Sequence, residues 1–483
     1  MQFTHITSYY QQDLNFVTDK LQVVSPYGRR AFKSMVFYLP GQEAELQAVL
    51  DNVEILINAQ KKYPLPFARL RSFYHSIQET EGILSALSRN ETLDEVALFQ
   101  LKGFLLQYQD LQSQVVPLLN QLCLYRIQLP SLAQALQWLD PRQYGLAAFY
   151  LDDFSYPALA AARQQKQRIE QLLRGASEAD RADLLSERSR WVAIETTEEM
   201  LAKQSITEHL LSCLPELQRV TRSLGCLELD LAKATLAIAE HLTRPKLASE
   251  PVVILEAMIH PKAAAVLHGL SRRFTPVSIQ LRPGSTVITG ANMGGKSLLL
   301  RSLMLNLTLW QLGFYVYAQS AVLPLFAHLA HMAEDQQSIE KGLSNFGAEI
   351  SRLNTFIQDY KGQFTFLALD EFARGTNPKE GAMLLQAMAA YFNRQPGMTV
   401  LTTHYDGVAG VANAHYQVAG LQNLDPLEFI RAVQAGEDPL LYLSHSMEYT
   451  LLSVDREETI PQEARRICRL LGLEAEILDL LEK

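Results

Sequence analysis

The sequence predicts a mixed chain, α followed by α/β: a helical first half, then a half in which short strands and helices build a largely parallel sheet. Three observations predict it. Before about residue 250, apolar side chains recur at three- and four-residue spacing with little Gly or Pro between them, the pattern of helices that bury one face. The stretch Thr243-Arg244-Pro245-Lys246-Leu247-Ala248-Ser249-Glu250-Pro251 then breaks that pattern twice and reads as a boundary between domains 1–250 and 251–483. Beyond it, β-rich runs alternate with helical ones, which predicts ligand bound at the strands' carboxyl ends.

In the first half, helices are expected over Glu43 to Lys61, Asp94 to Leu124 and Leu129 to Leu139. The segment Ala160 to Arg190 is crowded with charge: Arg163, Lys166, Arg168, Arg174, Arg181, Arg188 and Arg190 alternate with Glu170, Glu178, Asp180, Asp183 and Glu187. Mixed signs favour a solvated helical hairpin, with a nucleic-acid groove as the other reading. Trp191-Val192-Ala193-Ile194-Glu195 is expected to be a short strand closing that excursion, followed by long helices over Glu198 to Leu224 and Leu227 to Leu242. In the second half, strands are expected at Val252 to Leu255, Val277 to Leu281, Thr286 to Thr289, Phe364 to Leu369 and Thr399 to Thr402. Helices are expected at Gly295 to Leu312, Phe346 to Tyr360 and Pro378 to Asn393.

Composition sets bounds. A chain of 483 residues has room for two to four domains. Its net charge of −9 gives no overall pull toward nucleic acid or anionic membrane, though a local basic patch stays open. The four cysteines, Cys123, Cys213, Cys226 and Cys468, form no Cys-x-x-Cys pair, so reduced thiols in a cytoplasmic protein are expected rather than disulfides or zinc. No signal peptide and no membrane span are expected, since neither a basic-then-apolar start nor a run of about twenty apolar residues occurs.

The densest chemistry is Gly290-Ala291-Asn292-Met293-Gly294-Gly295-Lys296-Ser297, a Gly, four residues, then Gly-Lys-Ser, set between a predicted strand and a predicted helix. Such a loop turns backbone N–H groups inward at the positive end of a helix, which suits a triphosphate. Lys296 then reaches the outer phosphates and the Ser297 hydroxyl holds Mg2+. A chance Gly-rich turn is the alternative, and the strand-loop-helix order argues against it. Phe364 to Leu369 delivers Asp370 and Glu371 to a strand end, where Asp370 suits Mg2+ and Glu371 suits a water attacking the γ-phosphate. Alone, such a pair is often merely solvated. Thr402-Thr403-His404 ends another strand, where His404 could meet the γ-phosphate or serve structure only. Gly342-Leu343-Ser344-Asn345-Phe346-Gly347-Ala348-Glu349 reads as a helix start, with a plain cap as its bland meaning.

Together the glycine-lysine loop, Leu369-Asp370-Glu371-Phe372-Ala373-Arg374-Gly375-Thr376 and Thr402-Thr403-His404-Tyr405 resemble the ATPase of the MutS family, an ABC-type P-loop domain. Ile259-His260-Pro261 resembles the element that opens that domain, and Arg465 to Leu481, with Leu471-Gly472-Leu473, its closing helices. The resemblance is strong over Pro251 to Lys483 and weak over the helical half, whose layout is similar to the family's core and lever. It implies ATP and Mg2+ as cofactors. Gly290, Ala291, Asn292, Met293, Gly294, Gly295, Lys296 and Ser297 would cradle phosphate, Ser297 and Asp370 the metal, and Phe274 would stack on adenine. Glu371, His404 and Lys296 would be catalytic, with His404 sensing the γ-phosphate. Ser344 and Asn345 match a signature segment that reaches the nucleotide of a partner subunit, implying a homodimer (or a heteromer with a related subunit) with two composite sites.

The departures bear on the target. Mismatch-reading members carry a Phe-x-Glu wedge that kinks DNA, and none of the 20 Phe residues here is followed two positions later by Glu. No room is seen for the mismatch-reading domain, the clamp shrinks to about Ala176 to Thr197, and a nuclease-like C-terminal extension is not expected. Ala291 stands for the usual Pro and Leu298 for the usual Thr, and neither removes a phosphate contact. The expected function is an ATPase moving a helical lever, with DNA as the target and a relation to mismatch repair. The alternative is a reactivating ATPase of a cobalamin-dependent enzyme, lysine 5,6-aminomutase, which short chains of this layout also resemble. A scaffold that binds ATP without turnover fits less well with an intact Lys296, Asp370, Glu371 and His404.

Overall fold

The computed structural model describes residues 8–146, 148–290, 295–333, 345–421, 424–435, 437–454, 463–471 and 473–480. Contacts divide the chain into two compact units. One comprises Met1–Leu21, Met35–Asp51 and Thr235–Lys483, the other Gln22–Ser34 and Asn52–Ala234. Both gather segments far apart in sequence.

The helices of the first half are α1 (Ser8–Thr18), α2 (Pro26–Lys33), α3 (Glu43–Lys62), α4 (Pro64–Ser76), α5 (Glu81–Ser88) and α6 (Glu95–Gln114). They continue as α7 (Val116–Leu122), α8 (Ala133–Leu139), α9 (Pro157–Leu173), α10 (Glu178–Ser212) and α11 (Leu214–Ala239). Asp94 caps α6 by accepting from the Ala97 N–H at 2.8 Å. The single helix expected over Asp94 to Leu124 is two, because Pro117 has no N–H to continue the ladder past Val115.

The charged segment is a helical hairpin of α9 and α10, as its mixed signs predict. Arg163 meets Glu199 at 3.0 Å and Asp153 at 3.1 Å, Arg188 meets Glu170 at 2.8 Å, and Lys166 pairs with Glu195. The strand expected at Trp191 to Glu195 does not form. Those residues lie inside α10, where the ion pairs to α9 outweigh the β preference of Val192 and Ile194. The helices expected over Glu198 to Leu224 and Leu227 to Leu242 also divide elsewhere, at Cys213. Pro215 falls in the first turn of α11, a place that needs no N–H. Gly225, which marked the expected break, sits mid-helix, where a Cβ would lie 2.7 Å from the Tyr27 carbonyl oxygen of α2. Glu228 of α11 accepts from the Val24 N–H at 2.7 Å and the Ser25 N–H at 2.9 Å, fixing the start of α2.

The second half runs β1 (Lys246–Leu247), β2 (Val253–Met258), α12 (Pro261–Gly269), β3 (Val277–Leu281), β4 (Gly284–Thr289), α13 (Lys296–Gln311), β5 (Ser320–Leu323) and β6 (His328–Met332). Then come α14 (Asn345–Asp359), β7 (Thr365–Asp370), α15 (Pro378–Phe392), β8 (Gly397–Thr402), β9 (Ala414–Gly420), α16 (Pro426–Gln434), α17 (Pro439–Ser446), β10 (Glu448–Ser453), α18 (Glu463–Leu470) and α19 (Ala475–Leu480). The main sheet has the order β10-β9-β4-β8-β7-β6, parallel except for the edge strand β10. A parallel core was the expectation. β2 and β3, however, belong to a separate sheet, β1-β5-β2-β3, in which they pair antiparallel.

One face of the main sheet packs Val287, Ala330, Met332, Leu367, Leu369 and Leu401 against Phe356 of α14 and Leu385, Met388 and Phe392 of α15. By alternation, Ile288, His331, Ala368, Asp370 and Thr402 point to the other face. There α13 lies against β6 and β7. It is buried nearly all round, its Ser302, Asn306, Thr308 and Gln311 included, with Trp310 fully enclosed and donating to the Pro324 carbonyl. α1 packs on α12 and α13, and its fully buried Asp13 accepts from Arg301 of α13 at 2.5 and 2.7 Å. No helix among the described residues is long and apolar enough to cross a membrane.

Candidate functional site

Three neighbouring parallel strands, β4, β8 and β7, end at one edge, and each hands its last residues to a turn. After β4 comes Gly290 with φ +137°, and before α13 comes Gly295 with φ +76°. Both need glycine: a Cβ would stand 3.0 Å from Val418 at the first and 3.0 Å from the Tyr449 ring at the second. Gly295 precedes α13 and has no side chain with which to cap it, and the positive end of a helix suits an anion. Ala291, Asn292, Met293 and Gly294, all expected phosphate contacts, lie outside the described residues.

Lys296 opens α13 and is buried. Its ammonium donates to the Gly290 carbonyl at 2.6 Å and stands 3.8 Å from Oε1 of Glu371. Ser297 follows with its side chain exposed. Glu371 also accepts from Arg374 at 3.0 Å. Its backbone has φ +46°, a left-handed conformation uncommon for a non-glycine residue, and Ala373 repeats it at +65°. The surroundings hold that turn: the Glu371 N–H donates to Thr402 Oγ1 at 2.9 Å, and the Ala373 N–H to Glu349 of α14 at 3.2 Å. Thr402 Oγ1 in turn donates to Asp370 Oδ1 at 2.8 Å. One hydroxyl thus fixes both acidic residues.

His404 is exposed at the rim, and the Thr403 N–H donates to the Ile288 carbonyl, tying β8 to β4. Partial desolvation, reinforced by the Lys296 and Arg374 charges and opposed by Glu371, holds the imidazole below its ordinary pKa of 6.5. Beside the start of α13 opens a cleft of about 940 Å³, lined by Phe274 together with Val277, Leu299, Met447, Tyr449 and Gly295. Its lining mixes these apolar side chains with the basic Lys262, Arg272, Arg273 and Arg301, so it offers both a surface for a flat ring and positive charge.

The structure therefore brings Lys296, Asp370 and Glu371 together, with His404 electrostatically coupled to Glu371 and Lys296. Phe274 and Gly295 share the adjoining cleft. Ser344 lies outside the described residues, and Asn345 begins α14 without a described side chain. His260 caps α12, its Nδ1 accepting from the Ala263 N–H, and its Nε2 stands 3.2 Å from Asp13. Sequence reasoning did not name the bracing role of Thr402, or Arg374, Glu349 and Tyr449. Arg374 was legible three residues after Glu371, whereas Tyr449 lies on β10, whose polar/apolar alternation runs only from Glu448 to Leu451. The donor set suits Mg2+: a hydroxyl at Ser297 and a carboxylate at Asp370, both hard oxygens.

Comparison with known proteins bears on this half of the chain. Residues 286–438 match the family model described as MutS domain V. The DNA mismatch repair protein MutS of Leuconostoc mesenteroides is 26% identical over 248 residues, covering 50% of this chain and 29% of that protein. MutS of Natronomonas pharaonis is 29% identical over 241 residues, covering 48% of this chain and 28% of its own length. Endonuclease MutS2 of Thermomicrobium roseum is 31% identical over 251 residues, covering 48% of this chain and 31% of its own. The matches thus span less than a third of each of these relatives and about half of this chain.

Proposed function

We propose that this chain is a MutS-type ATPase, hydrolysing ATP with Mg2+ at the edge formed by β4, β7 and β8. The observation that carries this reading is the meeting of Lys296 with Glu371 at 3.8 Å, with Asp370 locked beside them through Thr402. In it, the amides at the head of α13 and the Lys296 ammonium bind the phosphates, and Ser297 and Asp370 hold the cation. A bound Mg2+ supplies charge neutralisation between the outer phosphates. Glu371 takes the proton of the attacking water once it exchanges its contacts with Arg374 and Lys296, and His404 hydrogen-bonds the γ-phosphate. Phe274 stacks on the base. Residues 1–250 act as a helical core and lever, and 251–483 as the motor.

The test is direct. Purified chain should hydrolyse ATP with Mg2+ and not in EDTA, and Glu371→Gln should lower turnover by roughly 10²–10⁴ while keeping ATP binding. Unchanged turnover in that variant would remove Glu371 from its role; failure of the wild type to bind ATP would end the whole reading. Ser344 and Asn345 are taken to complete the site of a second copy. ATP should then drive dimerisation, most visibly in Glu371→Gln, by sedimentation velocity.

For the lever's target, the relatives' names support DNA. A second reading, a protein client such as a cobalamin-dependent aminomutase, is favoured by one observation: Arg163, Lys166 and Arg188 of the α9–α10 hairpin are already paired with acidic neighbours.

A further inference from the structure

His331 sits on β6 in register with Ala368 of β7. In a parallel pair that places its side chain on the same face as Ala368 and, one pleat further, Asp370. This is the face covered by α13, since Ala330 and Met332 on either side of it enter the opposite core. The imidazole is only 5% exposed, and neither ring nitrogen has a hydrogen-bond partner among the described residues. Its charged neighbours are Asp370, Arg301 and Asp13. Arg301 and Asp13 are committed to each other, whereas Asp370 is held at Oδ1 by Thr402 alone among the described residues.

Buried polar groups in native proteins are paired almost without exception, so an orphaned one calls for a partner that arrives. Simple packing would be served better by an apolar residue, because a buried imidazole must desolvate two polar atoms. A neutral imidazole offers one donor and one acceptor. The nearest anion sharing its face is the carboxylate assigned to the cation.

We propose that His331 is a positioning residue for Asp370, hydrogen-bonding that carboxylate directly or through one bridging water when the cation and nucleotide are bound. This rests on the Mg-ATP reading of the site. Outer partners of this kind orient a ligating carboxylate, and their loss costs roughly 10–100-fold in metal affinity. On this proposal His331 acts only through Asp370, so nucleotide binding without metal should be insensitive to it.

The experiment is a Mg2+ titration of the binding of a fluorescent, non-hydrolysable ATP analogue to full-length chain. It compares wild type with His331→Leu, His331→Asn and His331→Gln, and uses EDTA as the metal-free arm. Expected is a half-saturating Mg2+ raised about tenfold or more in His331→Leu, equal binding of all proteins in EDTA, and near wild-type behaviour in Asn or Gln. A Leu variant with wild-type Mg2+ dependence overturns the proposal, as does failure of both amides to restore it. Should the Leu variant not fold, the ring nitrogen signals of His331 in 15N-histidine-labelled wild type decide: they must move when Mg2+ joins the bound nucleotide, and their standing still overturns the proposal. Wild type that shows no Mg2+-dependent binding at all overturns the ATPase reading, and this inference with it.

Discussion

Thr402 makes two hydrogen bonds that a valine of nearly the same shape cannot: it donates to Asp370 and accepts from the N–H of Glu371. The first goes to a charged group, worth about 1.5–3 kcal/mol, and its loss frees the carboxylate to rotate. If that loss falls on the transition state, Thr402→Val lowers kcat/KM by roughly 10- to 100-fold. Steady-state ATPase assays paired with a thermal melt check this, since an equal loss of stability would make the effect structural. His404 offers a second handle. Its native pKa lies below 6.5, so its contribution to stability is complete above 6.5 and is lost as pH falls from there through the lower native value, the window in which the unfolded chain takes the proton before the folded one. A polyanion beside the ring reverses the shift. Nucleotide binding should therefore raise the pKa of His404 and take up protons below pH 6.5, visible as a downfield-moving ring signal in an NMR pH titration and absent in His404→Asn.

Among the elements, α1 is held to α13 by charge. Burial alone would raise the pKa of Asp13, but His260 Nε2 at 3.2 Å and the two hydrogen bonds from Arg301 lower it to about 2. Its contribution to stability is thus present above 3.8 and lost as pH falls through about 2. Asp13→Asn keeps the shape and strands the guanidinium, which costs roughly 3–5 kcal/mol. The expected result is faster hydrogen exchange along α1 and α13 than in wild type. Gly225 gives the opposite test of intuition. Propensity alone says that Ala in mid-helix gains about 1 kcal/mol, but a Cβ 2.7 Å from the Tyr27 carbonyl must displace α2, and overpacking costs about 1–3 kcal/mol. Gly225→Ala should lower the thermal midpoint. That glycine also shows where sequence reading stops. The strands β4, β7 and β8 were legible because each is a short β-branched or apolar run leading into a polar motif, and α13 because a leucine-rich run of helical length follows Lys296. β6, reading His328-Leu329-Ala330-His331-Met332, has no periodic pattern of its own, and the edge strand β10 alternates only over Glu448-Tyr449-Thr450-Leu451, too short a run to stand out, so both depend on partners far along the chain. Likewise, Trp191 to Glu195 reads as a strand until the ion pairs of α9 are seen.

At the scale of the molecule, electrostatics can decide whether the proposed ATPase acts on DNA. The chain is acidic overall, at −9, so binding to duplex DNA requires a local excess of unpaired Lys and Arg. On the α9–α10 hairpin, Lys166 and Arg163 are neutralised by Glu195 and Glu199. DNA affinity falls with log salt at a slope of about −0.9 per phosphate neutralised. If the hairpin contacts DNA, Glu195→Gln leaves Lys166 without its anion and should steepen that slope by about one phosphate while tightening binding at low salt. We expect duplex DNA to stimulate the ATPase at about 50 mM salt and to lose that effect by about 200 mM, with the variant more sensitive than the wild type. A rate indifferent to DNA in both proteins at every salt concentration removes nucleic acid as the target. The hairpin's charges would then serve only to join α9 to α10, and the search would turn to a protein client.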